Sequence, residues 1–218
     1  FAVHKGYADA GAEFITANTF GANSLKYDNV DELVKAGVAL AKKAGKYVAL
    51  DIGPTGKLLK PMGDLEFERA VELFAEVVRA GKDGSDVAII ETMSDMYELK
   101  AAVIAVKENS DLPIITSMIF DESGRLLTGG DVKSAVAMLE GLRVDAIGFN
   151  CGLGPKQMIP LVKELRECTS LPILVMPNAG LPESVDGKTV YNVSPDEFAQ
   201  DMREIAKLGA KTWAALLQ

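Results

Sequence analysis

The sequence predicts an α/β protein of the (β/α)8 TIM-barrel class, incomplete at both ends, and three observations lead there. Short apolar runs rich in β-branched residues start at residues 14, 47, 87, 114, 146 and 173, and the steps of 33, 40, 27, 32 and 27 residues between them are those of βα units. No run is followed by the G-x-G-x-x-G or G-x-x-x-x-G-K-[ST] pattern that marks the nucleotide site of a doubly wound sheet. Polar or special residues instead close almost every run: Asn18, Asp51, Glu91, Asn150 with Cys151, and Asn178. In a barrel, that rim collects the catalytic groups.

The elements follow in order. A helix-like stretch, Ala2 to Ala12, opens the chain with no strand ahead of it, and strands are expected at Phe14 to Ala17, Tyr47 to Leu50, Val87 to Ile90, Ile114 to Met118, Ala146 to Phe149 and Ile173 to Met176. These runs are continuously apolar rather than alternating, as parallel strands covered on both faces are. Between them the apolar residues keep helical spacing: Phe67, Ala70, Val71, Phe74, Val77 and Val78; Met96, Leu99, Val103 and Val106; Met158, Leu161, Val162 and Leu165. Ser194, Pro195 and Glu197 supply an N-cap, a favoured first helical residue and a capping-box partner, and Gly209 stands where a C-terminal glycine belongs. A last strand is expected at Lys211 to Leu217, with no helix after it.

No composition break, Pro/Gly/Ser linker or low-complexity segment divides the chain, so residues 1–218 are expected to form a single domain. The count of 23 Lys+Arg against 31 Asp+Glu gives a net charge of −8, which argues against a nucleic acid or an anionic membrane as partner. There is no run of ~18 apolar residues and no signal-peptide layout at the start, so a soluble, cytoplasmic protein is expected. Two cysteines, Cys151 and Cys168, make no disulfide framework, and the single histidine, His4, excludes a His-based triad or a multi-histidine metal site.

Within the motifs, each residue type points to a chemistry and to a plainer alternative. Cys151 ends an apolar strand ahead of Gly152-Leu153-Gly154-Pro155, where a thiolate serves as nucleophile or zinc ligand, or the thiol simply packs. Cys168 continues the helical face of Met158, Leu161, Val162 and Leu165 and reads as structural. Asp51-Ile52-Gly53-Pro54-Thr55-Gly56 is either an ordinary turn or a place where backbone N–H groups approach a small anion such as a carboxylate. Glu91, delivered by a buried strand, needs a cation, supplied by a substrate ammonium or a nearby Lys or Arg. Asn18 and Asn178 place carboxamides on the same rim, to ligate a metal, bond a substrate or hold a loop. Lys42-Lys43 and the cluster Asp196, Glu197 and Asp201 read as solvated helix faces.

Taken as an ordered set, Asn18-Thr19-Phe20-Gly21-Ala22, the Asp51 to Gly56 turn, Glu91-Thr92-x-Ser94-Asp95, Asn150-Cys151-x-Leu153-Gly154-Pro155 and Pro177-Asn178-Ala179-Gly180 resemble the homocysteine S-methyltransferase family. Phe120-Asp121-Glu122-x-Gly124-Arg125-x-Leu127-Thr128-Gly129 and Gly187-Lys188-Thr189-Val190-Tyr191 make the chain similar to its cobalamin-dependent, methionine-forming branch. The resemblance implies a barrel that holds zinc on three cysteine thiolates and admits the homocysteine sulfur as a further ligand. Zinc favours the thiolate over the thiol, whose free pKa is ~8.5, and keeps that sulfur nucleophilic towards an activated methyl group. It also implies folate- and cobalamin-binding modules as partners, with methylcobalamin the methyl donor, recharged from methyltetrahydrofolate. Users of S-methylmethionine and betaine share the same core motifs.

By resemblance, Cys151 is the first zinc ligand and the catalytic residue, Asn178 supplies an oxygen that occupies the metal when substrate is absent, and Glu91 holds the homocysteine ammonium. Gly53, Thr55 and Gly56 form the backbone cradle for its carboxylate, and Asn18 lies on the substrate side of the rim. The chain departs from the family where adjacent cysteines of a Gly-Gly-Cys-Cys-Gly segment are expected, since Lys211 to Gln218 carries none. The opening strand with its Asp-Gly motif is absent as well. By itself, then, this chain is expected to bind zinc weakly, to transfer methyl groups poorly and to self-associate through an apolar seam. The alternatives are a catalytically inactive fragment kept as an interaction module, and another barrel enzyme such as an aldolase, which would want a strand-end lysine or a phosphate loop.

Overall fold

All six apolar runs fold as strands. The computed structural model describes residues 1–180, 182–185, 188–191 and 193–213, which fall into two compact units, Phe1–Thr116 and Ser117–Gln218.

The first unit runs α1 (Ala2–Asp9), β1 (Phe14–Thr16), α2 (Val30–Lys42), β2 (Tyr47–Ile52), α3 (Phe67–Gly81), a 3-10 turn (Lys82–Gly84), β3 (Val87–Met93) and α4 (Met96–Asn109), and ends within β4 (Ile114–Met118). β1 pairs with β2 in parallel, Phe14 opposite Tyr47, and β2 pairs with β3 in parallel, Asp51 opposite Ile89 and Ile52 opposite Ile90. Every residue of β2 after Tyr47 is buried, as its continuous apolar run predicts. Successive side chains of a strand point to opposite faces. Leu50 turns towards the helices, where a Cβ built on Gly81 of α3 would come within 2.4 Å of it. Asp51 therefore lies on the other face, and so does Glu91, two residues beyond the Ile89 that Asp51 opposes. That face carries the polar strand ends.

α4 is buried around most of its circumference: Leu99, Ala101, Ala102, Val103, Ala105 and Val106 are all inaccessible. Its three buried alanines and two buried valines are small side chains that let other elements approach. α3 buries Ala70, Phe74, Val77 and Val78 as expected, with Leu73 and Ala75 added, while Phe67 and Val71 are half-buried. α1 is shorter than the expected Ala2 to Ala12, with Ala10 as its C-cap.

The second unit contains α5 (Val132–Gly141), β5 (Ala146–Asn150), α6 (Pro155–Cys168), β6 (Ile173–Met176), a hairpin of β7 (Pro182–Val185) and β8 (Lys188–Tyr191), α7 (Pro195–Lys207) and β9 (Ala210–Trp213). β5, β6 and β9 lie side by side and parallel. β5 is buried along its whole length, and the Phe149 ring meets that of Phe120 edge-on at 5.4 Å. Gly148 is required by the approach of β6, because an added Cβ would stand 2.0 Å from the Leu174 carbonyl oxygen. α6 buries Met158, Leu161, Val162 and Leu165, the four residues its spacing singles out.

Ser194 caps α7 as read from the sequence, accepting from the Glu197 N–H while the Glu197 carboxylate accepts from the Ser194 N–H. Asp201 departs from the expected solvated face and is buried. It follows Phe198 by three residues, adjoins Met202 and precedes Ile205 by four, a spacing that puts it on the apolar stripe of the helix. The expected last strand, Lys211 to Leu217, forms as β9 one residue earlier, and its part beyond Trp213 lies outside the described residues, as does Gly187. The antiparallel β7–β8 hairpin was not expected. Val185 opposes Lys188 in it, and the sequence between them reads Asp186-Gly187, a strong short-range hairpin signal. Strands of four residues are too short to show a period.

Candidate functional site

The singled-out residues form two groups, one in each unit. In the first unit, the Thr19 hydroxyl donates to the Asp51 carbonyl oxygen at 2.7 Å and ties the end of β1 to that of β2. Asn18, beside it, is exposed. Gly53 is needed for the same closure, since a Cβ there would come within 2.5 Å of Phe20. Asp51 is only 5% exposed, and its Oδ1 has no hydrogen-bond partner among the described residues. Burial, and then the charge of Glu91 nearby, pushes its carboxyl well above the usual range. Glu91 is half-buried, and burial raises its pKa to about 7.

The sequence left open whether a Lys or Arg answers Glu91. Among the described residues none forms an ion pair with it or with Asp51, and the ion pairs there lie elsewhere. Thr92, directly after Glu91, has φ of 61°, a left-handed conformation that a β-branched residue adopts only against a cost of roughly 1–2 kcal/mol. β3 thus carries a strained residue, one before its last, next to the carboxylate.

The Gly53 to Gly56 turn is held by a residue that the sequence did not single out. Glu98, on the first turn of α4 and 4% exposed, accepts from both the Thr55 N–H at 2.8 Å and the Thr55 hydroxyl at 2.6 Å. Thr55 therefore spends its donors inside the protein. The amides of Gly53 and Gly56 donate to no described residue, and the Lys26 ammonium approaches Gly56, 3.6 Å from where its Cβ would be. Burial raises the Glu98 carboxyl, with the Thr55 bonds and Lys26 opposing. Glu98 stands three residues after the N-cap Asp95, whose side chain accepts from the Glu98 N–H. From sequence that position reads as a capping partner, which conceals its reach to Thr55.

In the second unit, the Cys151 N–H donates to the Met176 carbonyl at 3.1 Å and the Asn178 N–H to that of Leu153 at 3.0 Å. These two bonds bring the ends of β5 and β6, and with them Cys151 and Asn178, alongside each other. Cys151 has φ of 57°, so the thiol too sits on a left-handed backbone at a strand end. Ser117, fully buried, donates to Asn150 Oδ1 at 2.7 Å, and Asn150 Nδ2 donates to Cys151 Sγ at 3.4 Å. The bond from Ser117 fixes which way the carboxamide faces and so turns its N–H donor to the sulfur. Asn178 is 8% exposed, and Cys168 is half-buried on the last turn of α6.

The donor set does not fit a three-thiolate zinc site. The 218 residues carry two cysteines, and among the described residues no three His, Cys, Asp or Glu side chains converge in a way that holds a metal. Cys151 and the Asn178 oxygen are short of the four ligands a closed zinc site takes. No helix among the described residues is long and apolar enough to cross a membrane.

Against known proteins, the sequence model of the family "Homocysteine S-methyltransferase" matches residues 1–214. The methionine synthases of Mycobacterium leprae and Mycobacterium tuberculosis are each 30% identical over 219 aligned residues, covering 91% of this chain and 18% of theirs. The chain spans less than a fifth of the length of those relatives. The crystal structure of the homocysteine methyltransferase MmuM from Escherichia coli in its metallated form superposes with a TM-score of 0.81 at 21% identity, covering 98% of this chain and 78% of that one. The two share a fold.

Proposed function

The chain belongs to the homocysteine S-methyltransferase family, and on that premise we propose that it binds homocysteine for methylation to methionine. One observation carries this. A half-buried carboxylate, Glu91, without a described cation, stands at the strand end beside Gly53 of a turn that offers two undonated amides. An α-amino acid brings a cation and an anion on one carbon, and a carboxylate beside backbone donors answers both.

Glu91 then takes the ammonium, and the Gly53 and Gly56 amides take the carboxylate. Thr55 serves by holding the turn through Glu98, and Asn18 lines the rim. Cys151 and Asn178 are proposed as the zinc-side residues. With one thiolate and one carboxamide oxygen they hold zinc weakly in this chain, and methyl transfer by it is slow. Methylcobalamin on another module, recharged from methyltetrahydrofolate, is the proposed donor, and the proposed setting is a cytoplasmic single-domain barrel.

A ligand that binds only the folded state raises the melting temperature. Homocysteine is expected to do so for the wild type and not for Glu91→Gln, and metal analysis is expected to find zinc well below one per chain. Equal shifts in both proteins would refute the role of Glu91, and tight stoichiometric zinc would refute the weak metal site. The shortage of thiolates favours a second reading, an inactive module kept for interaction, which predicts no homocysteine shift at all.

A further inference from the structure

The carboxyl group beside Glu91 remains to be explained. Asp51 and Glu91 project from the same face of adjacent parallel strands, opposite the face that Leu50 turns to the helices. Asp51 is 95% buried by the measure of its 5% exposure, and Oδ1 has no hydrogen-bond partner among the described residues. A buried polar atom left unpaired loses its hydration without replacement, so such atoms are rare unless something completes them. The neighbouring charged groups do not. Glu98 is engaged with Thr55, and Lys26 stands at Gly56. Thr19 bonds the Asp51 main chain, not its carboxyl group.

We propose that Asp51 is a second wall of the ammonium seat, a specificity-determining residue that with Glu91 selects a substrate carrying a cationic primary amine. This rests on the proposed binding of homocysteine. Asp51, buried on the same strand face as Glu91 and raised by burial and by the Glu91 charge, ionises reluctantly when alone, so the pair retains protons. A primary ammonium offers three N–H donors, enough for Glu91 and for the orphaned Asp51 oxygen at once. Its arrival makes both carboxylates stable and sends their protons to solvent. A thiol acid without the amine gains nothing from either group and leaves the protons in place.

The test compares L-homocysteine with 4-sulfanylbutanoate, the same skeleton without the amine, by calorimetric titration of the full chain. Asp51→Asn keeps the shape of the side chain and removes its charge. The wild type is expected to prefer homocysteine, and Asp51→Asn to lose at least about tenfold of that preference while its affinity for 4-sulfanylbutanoate stays unchanged. An unchanged preference in Asp51→Asn, with the preference lost in Glu91→Gln, would overturn the role of Asp51 and leave the binding of homocysteine standing. Equal affinity of the wild type for both compounds would overturn the ammonium seat and the proposed substrate together. A second measurement compares proton release: at about pH 6, in buffers of different protonation enthalpy, the wild type is expected to release more protons per homocysteine than Asp51→Asn, and an equal release counts against Asp51.

Discussion

Glu91 ties burial to function at the scale of a residue, and its titration is a consequence for stability that needs no ligand. Its pKa is about 7 in the folded protein against an ordinary 4.5. Between those values the folded chain keeps a proton that the unfolded chain has released, so the stabilisation from the neutral carboxyl is complete below the lower value and is lost as pH rises through the upper one. At about 1.4 kcal/mol per unit of pKa, the swing from Glu91 is on the order of 3 kcal/mol. Glu91→Gln removes that share of the pH dependence. Urea midpoints at about pH 5 and about pH 8 are expected to show the variant gaining on the wild type at the higher pH, and a constant difference would refute the assignment. Position in the sequence was enough to single out Glu91 and Cys151, because each closes an apolar strand. It was not enough for Glu98, whose place after Asp95 looks like helix capping, nor for the orphaned oxygen of Asp51, which only the pairing of β2 with β3 brings beside Glu91.

At the scale of an element, the signals that are local in sequence were legible and those made by tertiary contact were not. The spacing of the apolar runs gave the order of strands and helices, since each βα unit carries its own period. α7 shows the same for a terminus, with Ser194, Pro195 and Glu197 setting its start by bonds within four residues. Ser194→Ala deletes the side chain that accepts from the Glu197 N–H, and is expected to cost about 1 kcal/mol in chemical denaturation while leaving homocysteine binding intact. A change near zero would mean that water replaces the cap. Asp201 shows the limit of such local reading. Three acidic residues in one segment look solvated, yet the 3.6-residue period carries Asp201 to the face of Met202 and Ile205. The hairpin of β7 and β8 was missed for a related reason, because four-residue strands hold too few side chains to display alternation.

For the molecule as a whole, charge and surface apolarity act in opposite directions. Within the first unit β1 is three residues long and is first in the strand order, with β2 as its neighbour. Its Phe14 is 46% and Tyr47 of β2 60% exposed, their rings 5.3 Å apart, and Phe1, the N-cap of α1, and Val3 within it are more than half exposed. Covering two aromatic side chains of 150–250 Å² each is worth several kcal/mol at roughly 25 cal/mol per Å², whereas a net charge of −8 repels a second copy across the solvent. Salt decides between them, since the Debye length falls from about 10 Å at 0.1 M to about 3 Å at 1 M and weakens the repulsion without weakening the apolar contact. Self-association is therefore expected to rise with ionic strength in sedimentation velocity, and replacing both Phe14 and Tyr47 with serine is expected to abolish it. Association that instead falls with salt, or that survives the double substitution, would place the contact on charged surface elsewhere.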